Sequence, residues 1–531
     1  MRMSSMRGML AATAVIFGLM GPAAADTPKD TLVQAWQIDD IISLDPAEIF
    51  ELSAAEIAGN TYERLIGYDI QDVSKLHGEV AESWTVSADG KSITFKIRPD
   101  RKFASGNPIT AGDVAFSLQR AVLLDKSPAF IINQFGITKD NVKEMIKANG
   151  DGELVFSMDK PYAVSFVLYC LTSTVASVVD QKLAMENEKD GDFGYEWLKT
   201  HYAGSGPFKI RDWRANEAVV LERNENYSGD APALARVIYR HVPETATQRL
   251  LLEKGDIDVA RNLGPEEIDA VGKDGKIQIV KAPKGTLYYF SLNQKNEILA
   301  KPQVRQAMKY LVDYDAIADT IMKNLGETHQ NFLPKGFLGA VNDNAFKLDV
   351  EKAKALLTEA GYPDGFAITM DVRSTQPVTG IAEAVQQSLA KGGIKMEIIP
   401  GDGKQTLTKY RARQHDLYIG QWGADYQDPH TNAQTFASNP DNADDGASKT
   451  LAWRNAWATP ELNKETDAAI LESDTAKRAA LYEKMQKEVN DTGPFVIMFQ
   501  QTEVAAVNDN VKNYVLGPSF DTNLVAPITK E

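Results

Sequence analysis

The sequence predicts an α/β protein in which helices cover a sheet, and two observations carry that prediction. From about residue 286 onward, runs with the two-residue alternation of strands follow runs with helical spacing. Before that, short alternating strands and an amphipathic helix describe an α+β unit, and no internal repeat or low-complexity segment interrupts either portion.

Taken in chain order, Arg2 and Arg7 precede an apolar run over 10–20, and Ala23-Ala24-Ala25 stand before Asp26. That is the pattern of a cleavable secretory signal over residues 1–25, and the run is too short to span a bilayer. Residues 31–38 alternate as a strand does and enter the turn Ser43-Leu44-Asp45-Pro46. The stretches 83–86 and 92–98 flank Ala88-Asp89-Gly90 as a hairpin, with Ile93, Phe95 and Ile97 on one face and Thr94, Lys96 and Arg98 on the other. Helical spacing over 110–122 then puts Ala115, Leu118 and Val122 on one side. Ala203-Gly204-Ser205-Gly206-Pro207 is a turn between strands; Pro207 so close to Ser205 does not suit a nucleophile elbow. A helix over 244–253 ends at Gly255. Further helices are predicted over 302–322, over 349–360 with Asp349 as cap, and over 381–391 ending at Gly392-Gly393. Strands at 394–398 and 416–420 complete the layering.

Composition narrows the function. Once Arg2 and Arg7 leave with the signal, 55 basic and 73 acidic residues remain, a formal charge of −18 over 506 residues. An excess of that sign disfavours nucleic acid as a partner and favours cationic ligands. The lone Cys170 lies in an apolar run, so a buried thiol is expected and no intrachain disulfide can form. No Walker-type phosphate loop is present, and the six histidines lack metal-ligand spacing, so no cofactor and no metal are expected.

The segment Gln421-Trp422-Gly423-Ala424-Asp425-Tyr426-Gln427-Asp428-Pro429 leaves the end of a strand and sets a carboxylate between two large aromatics. It holds no nucleophile or base beside Asp425, which suits binding of a desolvated amine better than catalysis. A loop carboxylate that caps a turn has the same local pattern, but strand ends of open α/β sheets are where ligands sit. Trp36 fits either a pocket wall or the core.

Several motifs occur in an order that resembles the large family of periplasmic solute-binding proteins serving peptide, nickel and opine ABC importers, extracytoplasmic solute-binding family 5. They are Ser43-Leu44-Asp45-Pro46, Asn60-Thr61-Tyr62-Glu63-Arg64-Leu65, Ala81-Glu82-Ser83-Trp84, Phe103-Ala104-Ser105-Gly106-Asn107-Pro108, Gly204-Ser205-Gly206-Pro207-Phe208, Val304-Arg305-Gln306-Ala307 and the 422–429 loop. The resemblance implies a two-lobed clamp with an extra α+β domain inserted in the first lobe. Lobe I would comprise 26–60, 200–285 and 500–531, the extra domain 61–199, and lobe II 286–499. It implies that Asp425 pairs with a ligand ammonium, with Trp422, Tyr426 and Trp36 about the ligand. It also implies a small-molecule or peptide ligand, a periplasmic location, and permease subunits with a separate ATPase as partners, or a chemoreceptor. The arginine that anchors the ligand carboxylate in dipeptide-binding members is missing near 378–383; Arg373, Arg411 and Arg413 are the substitutes at hand. A sugar derivative, a metal chelate flanked by His415 and His430, and a secreted hydrolase built on Asp425 and Asp428 are the competing readings.

Overall fold

The computed structural model describes residues 27–531 apart from 272, 274, 447 and 448, so the signal sequence expected over 1–25 lies outside the described residues. An eleven-stranded mixed sheet runs through both lobes. Its spine is two long antiparallel strands, Ile277–Leu292 and Phe495–Asn508. The half paired from Ile277↔Asn508 to Pro283↔Thr502 belongs to one lobe. There Val259–Ala260, Thr31–Trp36, Arg236–His241, Ala218–Arg223 and Phe208–Arg214 follow outward in that order. The half paired from Leu287↔Gln500 to Ser291↔Phe495 belongs to the other, extended by Leu417–Gly423, Ala367–Arg373 and Lys395–Gly401. Thr31–Trp36 has parallel neighbours on both edges and is buried on both faces, as parallel strands under helices usually are.

The early α+β unit is a separate four-stranded antiparallel sheet, Ala81–Val86, Ser92–Ile97, Glu153–Ser157 and Ile146–Asn149. Ile93, Phe95 and Ile97 turn inward, each contributing roughly 1.5–3 kcal/mol by burial. The helix Ala111–Leu124 packs on this sheet and starts at a capping box. Thr110 accepts from the Asp113 N–H, and the Asp113 carboxylate accepts from the Thr110 N–H at 2.9 Å.

Two local expectations meet tertiary facts. The helix expected over 302–322 is two helices, Pro302–Tyr310 and Tyr314–Asp319, because Asp313 accepts from the Ala316 N–H at 3.3 Å and restarts the chain as a cap. Val304, Met308, Leu311 and Val312 still share one core. At the 203–207 turn, a Cβ on Gly206 would stand 2.5 Å from the Thr61 carbonyl carbon. The glycine is what lets this turn dock against the end of the helix Leu52–Thr61, and Ser205 is wholly buried there.

Candidate ligand site

Where the long strands pass between lobes, their register slips: Pro283 pairs with Thr502, yet Leu287 pairs with Gln500. The surplus residues bulge out of the ladder. Lys284, Gly285 and Thr286 in this bulge line a cavity of about 350 Å³ between the lobes. One wall comes from 49–52 and 518–521, the other from 421–427 at the end of the strand Leu417–Gly423. The inserted unit adds Pro128, Ile131 and 172–175. A cavity walled by two lobes and crossed by two strands is built so that hinge motion about those strands can open and close it.

Asp425 lies on the second wall. Its backbone N–H donates to Thr431 Oγ1 at 3.1 Å, and that hydroxyl donates back to the carboxylate at 3.4 Å. Among the described residues it has no ion-pair partner. Burial therefore pushes its carboxyl up to about 7, only partly offset by Thr431 and the more remote Arg454. A half-buried carboxylate without a cation is a strong receptor for an ammonium, which would restore the ionised form.

Trp422 and Tyr426 also line the cavity. The Trp422 Nε1–H donates to Asn432 Oδ1 at 3.1 Å, and the ring meets Phe436 edge-on. Tyr426 is buried, and its hydroxyl has no partner among the described residues. Trp36 stands one layer behind the wall: it stacks on the lining residue Phe520 with centroids 6.1 Å apart, and the Arg261 guanidinium covers the ring at 4.5 Å. Arg373 is exposed and is absent from the lining; its guanidinium passes beside Gly403. Arg413 is committed elsewhere, to Asn442 and Asp444 and to the face of Trp453.

Asp428, three residues beyond Asp425, is not its acid–base companion. Arg478 grips both its oxygens at 2.6 and 2.7 Å in a buried fork, and its Oδ1 also accepts the His430 N–H. His415 and His430 are buried, both pushed down to about 4 by desolvation, and neither lines the cavity. Cys170 is buried, and desolvation raises its thiol well above the ordinary range.

Three cavity residues carry no local sequence signal: Glu51, Lys284 and Phe520. They come from segments hundreds of residues apart, and only the strand crossing brings them together. Lys284 is buried, and its ammonium donates to Gly517 O at 2.6 Å and Asn523 Oδ1 at 2.8 Å while pairing with Glu503 at 2.7 Å. Desolvation lowers its pKa, opposed by Glu503. Glu503 in turn shares Arg261 with Glu56, forming a buried ionic network that ties the bulge to the first lobe.

A family model, "Bacterial extracellular solute-binding proteins, family 5 Middle", matches residues 75–444. The chain is 28% identical over 506 residues to the probable D,D-dipeptide-binding periplasmic protein DdpA of Escherichia coli K12, covering 94% of each. It is 26% identical over 474 residues to the dipeptide-binding protein of the same organism, covering 86% of each. Among solved structures it is similar to the ABC transporter-associated periplasmic binding protein DppA from Helicobacter pylori in complex with the peptide STSA. That likeness has a TM-score of 0.81 and 26% identity, over 94% of this chain and 98% of that one. AgaA from A. tumefaciens R10, in complex with agropinic acid, shares the fold with a TM-score of 0.75 and 24% identity, over 94% and 99% of the two chains.

Proposed function

Because the chain belongs to the bacterial extracellular solute-binding proteins of family 5, we propose that it captures a small amine-bearing solute, peptide or opine-like, in the periplasm and delivers it to the permease of an ABC importer. The single observation that carries the ligand class is Asp425, a half-buried carboxylate on the wall of the inter-lobe cavity with no ion-pair partner among the described residues. The relatives support the same class, since their names specify dipeptides, a D,D-dipeptide and a bound peptide. Trp422 and Tyr426 shape the amine site, Trp36 supports it through Phe520, and Arg373 lies too far out on the surface to take part without movement.

The division expected above belongs to this proposal: a lobe of 26–60, 200–285 and 500–531, an inserted domain of 61–199, and a lobe of 286–499. A core confined to 288–499 and the register slip at 283–287 support it, while Tyr62, Val179, Ala184 and Leu198 at the ends of the inserted segment pack into the first lobe's core. In the proposed cycle the solute raises the closed population and both lobes then present themselves to the permease. No bond of the solute is made or broken.

The test is calorimetric titration of the mature protein, stripped of carried-over ligand by unfolding and refolding, with di- to pentapeptide mixtures having free or acetylated N-termini. Binding confined to the free amines is expected. Equal binding of the acetylated set would remove the amine from the proposal.

A further inference from the structure

We infer that the cavity selects a ligand carrying two positive charges and no free carboxylate, with its α-amine at Asp425 and a second amine or guanidine at Glu51. This rests on the amine-capture reading above and names its substrate class.

Among the described residues lining the cavity, Lys284 is the only cation, and its three protons are already taken by Gly517 O, Asn523 Oδ1 and Glu503. It has none left for a ligand carboxylate. Of the lining carboxylates, Asp521 is neutralised by Arg64 and accepts from Ser519. Glu51 and Asp425 remain, one on each wall. Glu51 has no ion-pair partner among the described residues. It precedes the helix Leu52–Thr61 without capping it, and its carboxylate accepts from backbone groups alone, the Phe50 N–H at 3.3 Å and its own N–H. Desolvation raises its pKa, with Asp40 and Glu48 adding repulsion.

A zwitterionic dipeptide would satisfy one of these groups and bring its own carboxylate into a space with an uncompensated negative charge and, among the described lining residues, no free cation to pair with it. A dication satisfies both. The remaining polar lining, Tyr68, 172–174, Thr286, Gln421, Gln427 and Ser519, is uncharged and suits amides. The buried Tyr426 hydroxyl, without a partner, adds a further polar group to the same lining. Closure would carry Glu51 and Asp425 toward the two ends of one ligand, so the second charge also favours the closed state.

The experiment is calorimetry on the ligand-stripped mature protein at pH 7.5 with alanyl-alanine, alanyl-alaninamide and alanyl-lysinamide, of net charge zero, one and two. Affinity should rise in that order, by tenfold or more from first to last. Glu51→Gln should erase the gain contributed by lysine, the difference between alanyl-lysinamide and alanyl-alaninamide, in a variant whose unchanged Tm shows it to be folded. Alanyl-alanine binding as tightly as alanyl-lysinamide, or a lysine gain that survives Glu51→Gln, would overturn this inference and leave the Asp425 anchor standing. N-acetyl-alanyl-lysinamide binding as well as its free-amine parent would overturn the anchor itself, and binding by none of the amines would overturn both.

Discussion

Burial in the cavity wall pushes the Asp425 carboxyl up toward neutrality, and that makes ligand capture a proton-linked event. The free carboxyl titrates at about 7, whereas a bound ammonium favours the ionised form and lowers that value. Below pH 7 the ligand must therefore displace a proton, and affinity falls toward tenfold per unit as the pH drops. Above about 8 a peptide amine loses its own charge, so binding should peak between the two. Calorimetry from pH 5.5 to 8.5 checks this, and Asp425→Asn should abolish the acid limb while weakening the complex by roughly 1.5–3 kcal/mol. A carboxylate between Trp422 and Tyr426 at a strand end is a local pattern, legible in a few consecutive residues. Glu51 and Lys284 were not legible: whether a charged side chain is free or spent depends on neighbours such as Glu503 and Asn523, more than two hundred residues away.

The bulge, the two long strands and the helix Leu52–Thr61 are joined by ions rather than by apolar packing alone. Arg261 forks onto Glu56 at 2.8 and 2.9 Å and also binds Glu503, while Asn523 donates to both carboxylates. Burial opposes ionisation of Glu503, but Arg261 and Lys284 hold its pKa well below the usual range. A depressed carboxylate stabilises the fold above its unfolded pKa of about 4.3, and that stability is lost as pH falls through the folded value. Glu503→Gln should leave Arg261 and Lys284 under-compensated and cost about 3–5 kcal/mol, read as a lowered Tm at neutral pH. Gly206→Ala should cost roughly 1–3 kcal/mol in the same assay, since the added methyl meets the Thr61 backbone. Hairpins and the cap at Asp349 were readable because their signals are short in range. The break at Asp313 was not, because helical spacing continues through it and only the cap marks it.

At the scale of the molecule, the inserted unit touches the second lobe across the cleft. The Ala163 N–H donates to Ile470 O at 2.7 Å, Ser165 accepts from Arg478, and Phe166 packs against Tyr426 and His430. These contacts begin one residue beyond Asp425, so occupancy of the cavity and closure of the cleft are adjacent events. Ala163 has φ −55, which proline accepts. Ala163→Pro should therefore remove that bridging donor and set its ring carbon against the Ile470 carbonyl, lowering Tm and weakening ligand binding by about tenfold or more. Small-angle scattering should show the wild type contracting on ligand addition and the variant contracting less. The sequence order of motifs foretold two lobes, but it held no trace of which side chains latch them, since Phe166 reads as core wherever it sits. The most direct test of the central claim sets wild type beside Asp425→Asn in calorimetric titration with the tightest free-amine ligand. The account predicts tenfold or greater weakening in a variant that melts normally, and an unchanged Kd in that variant would contradict it.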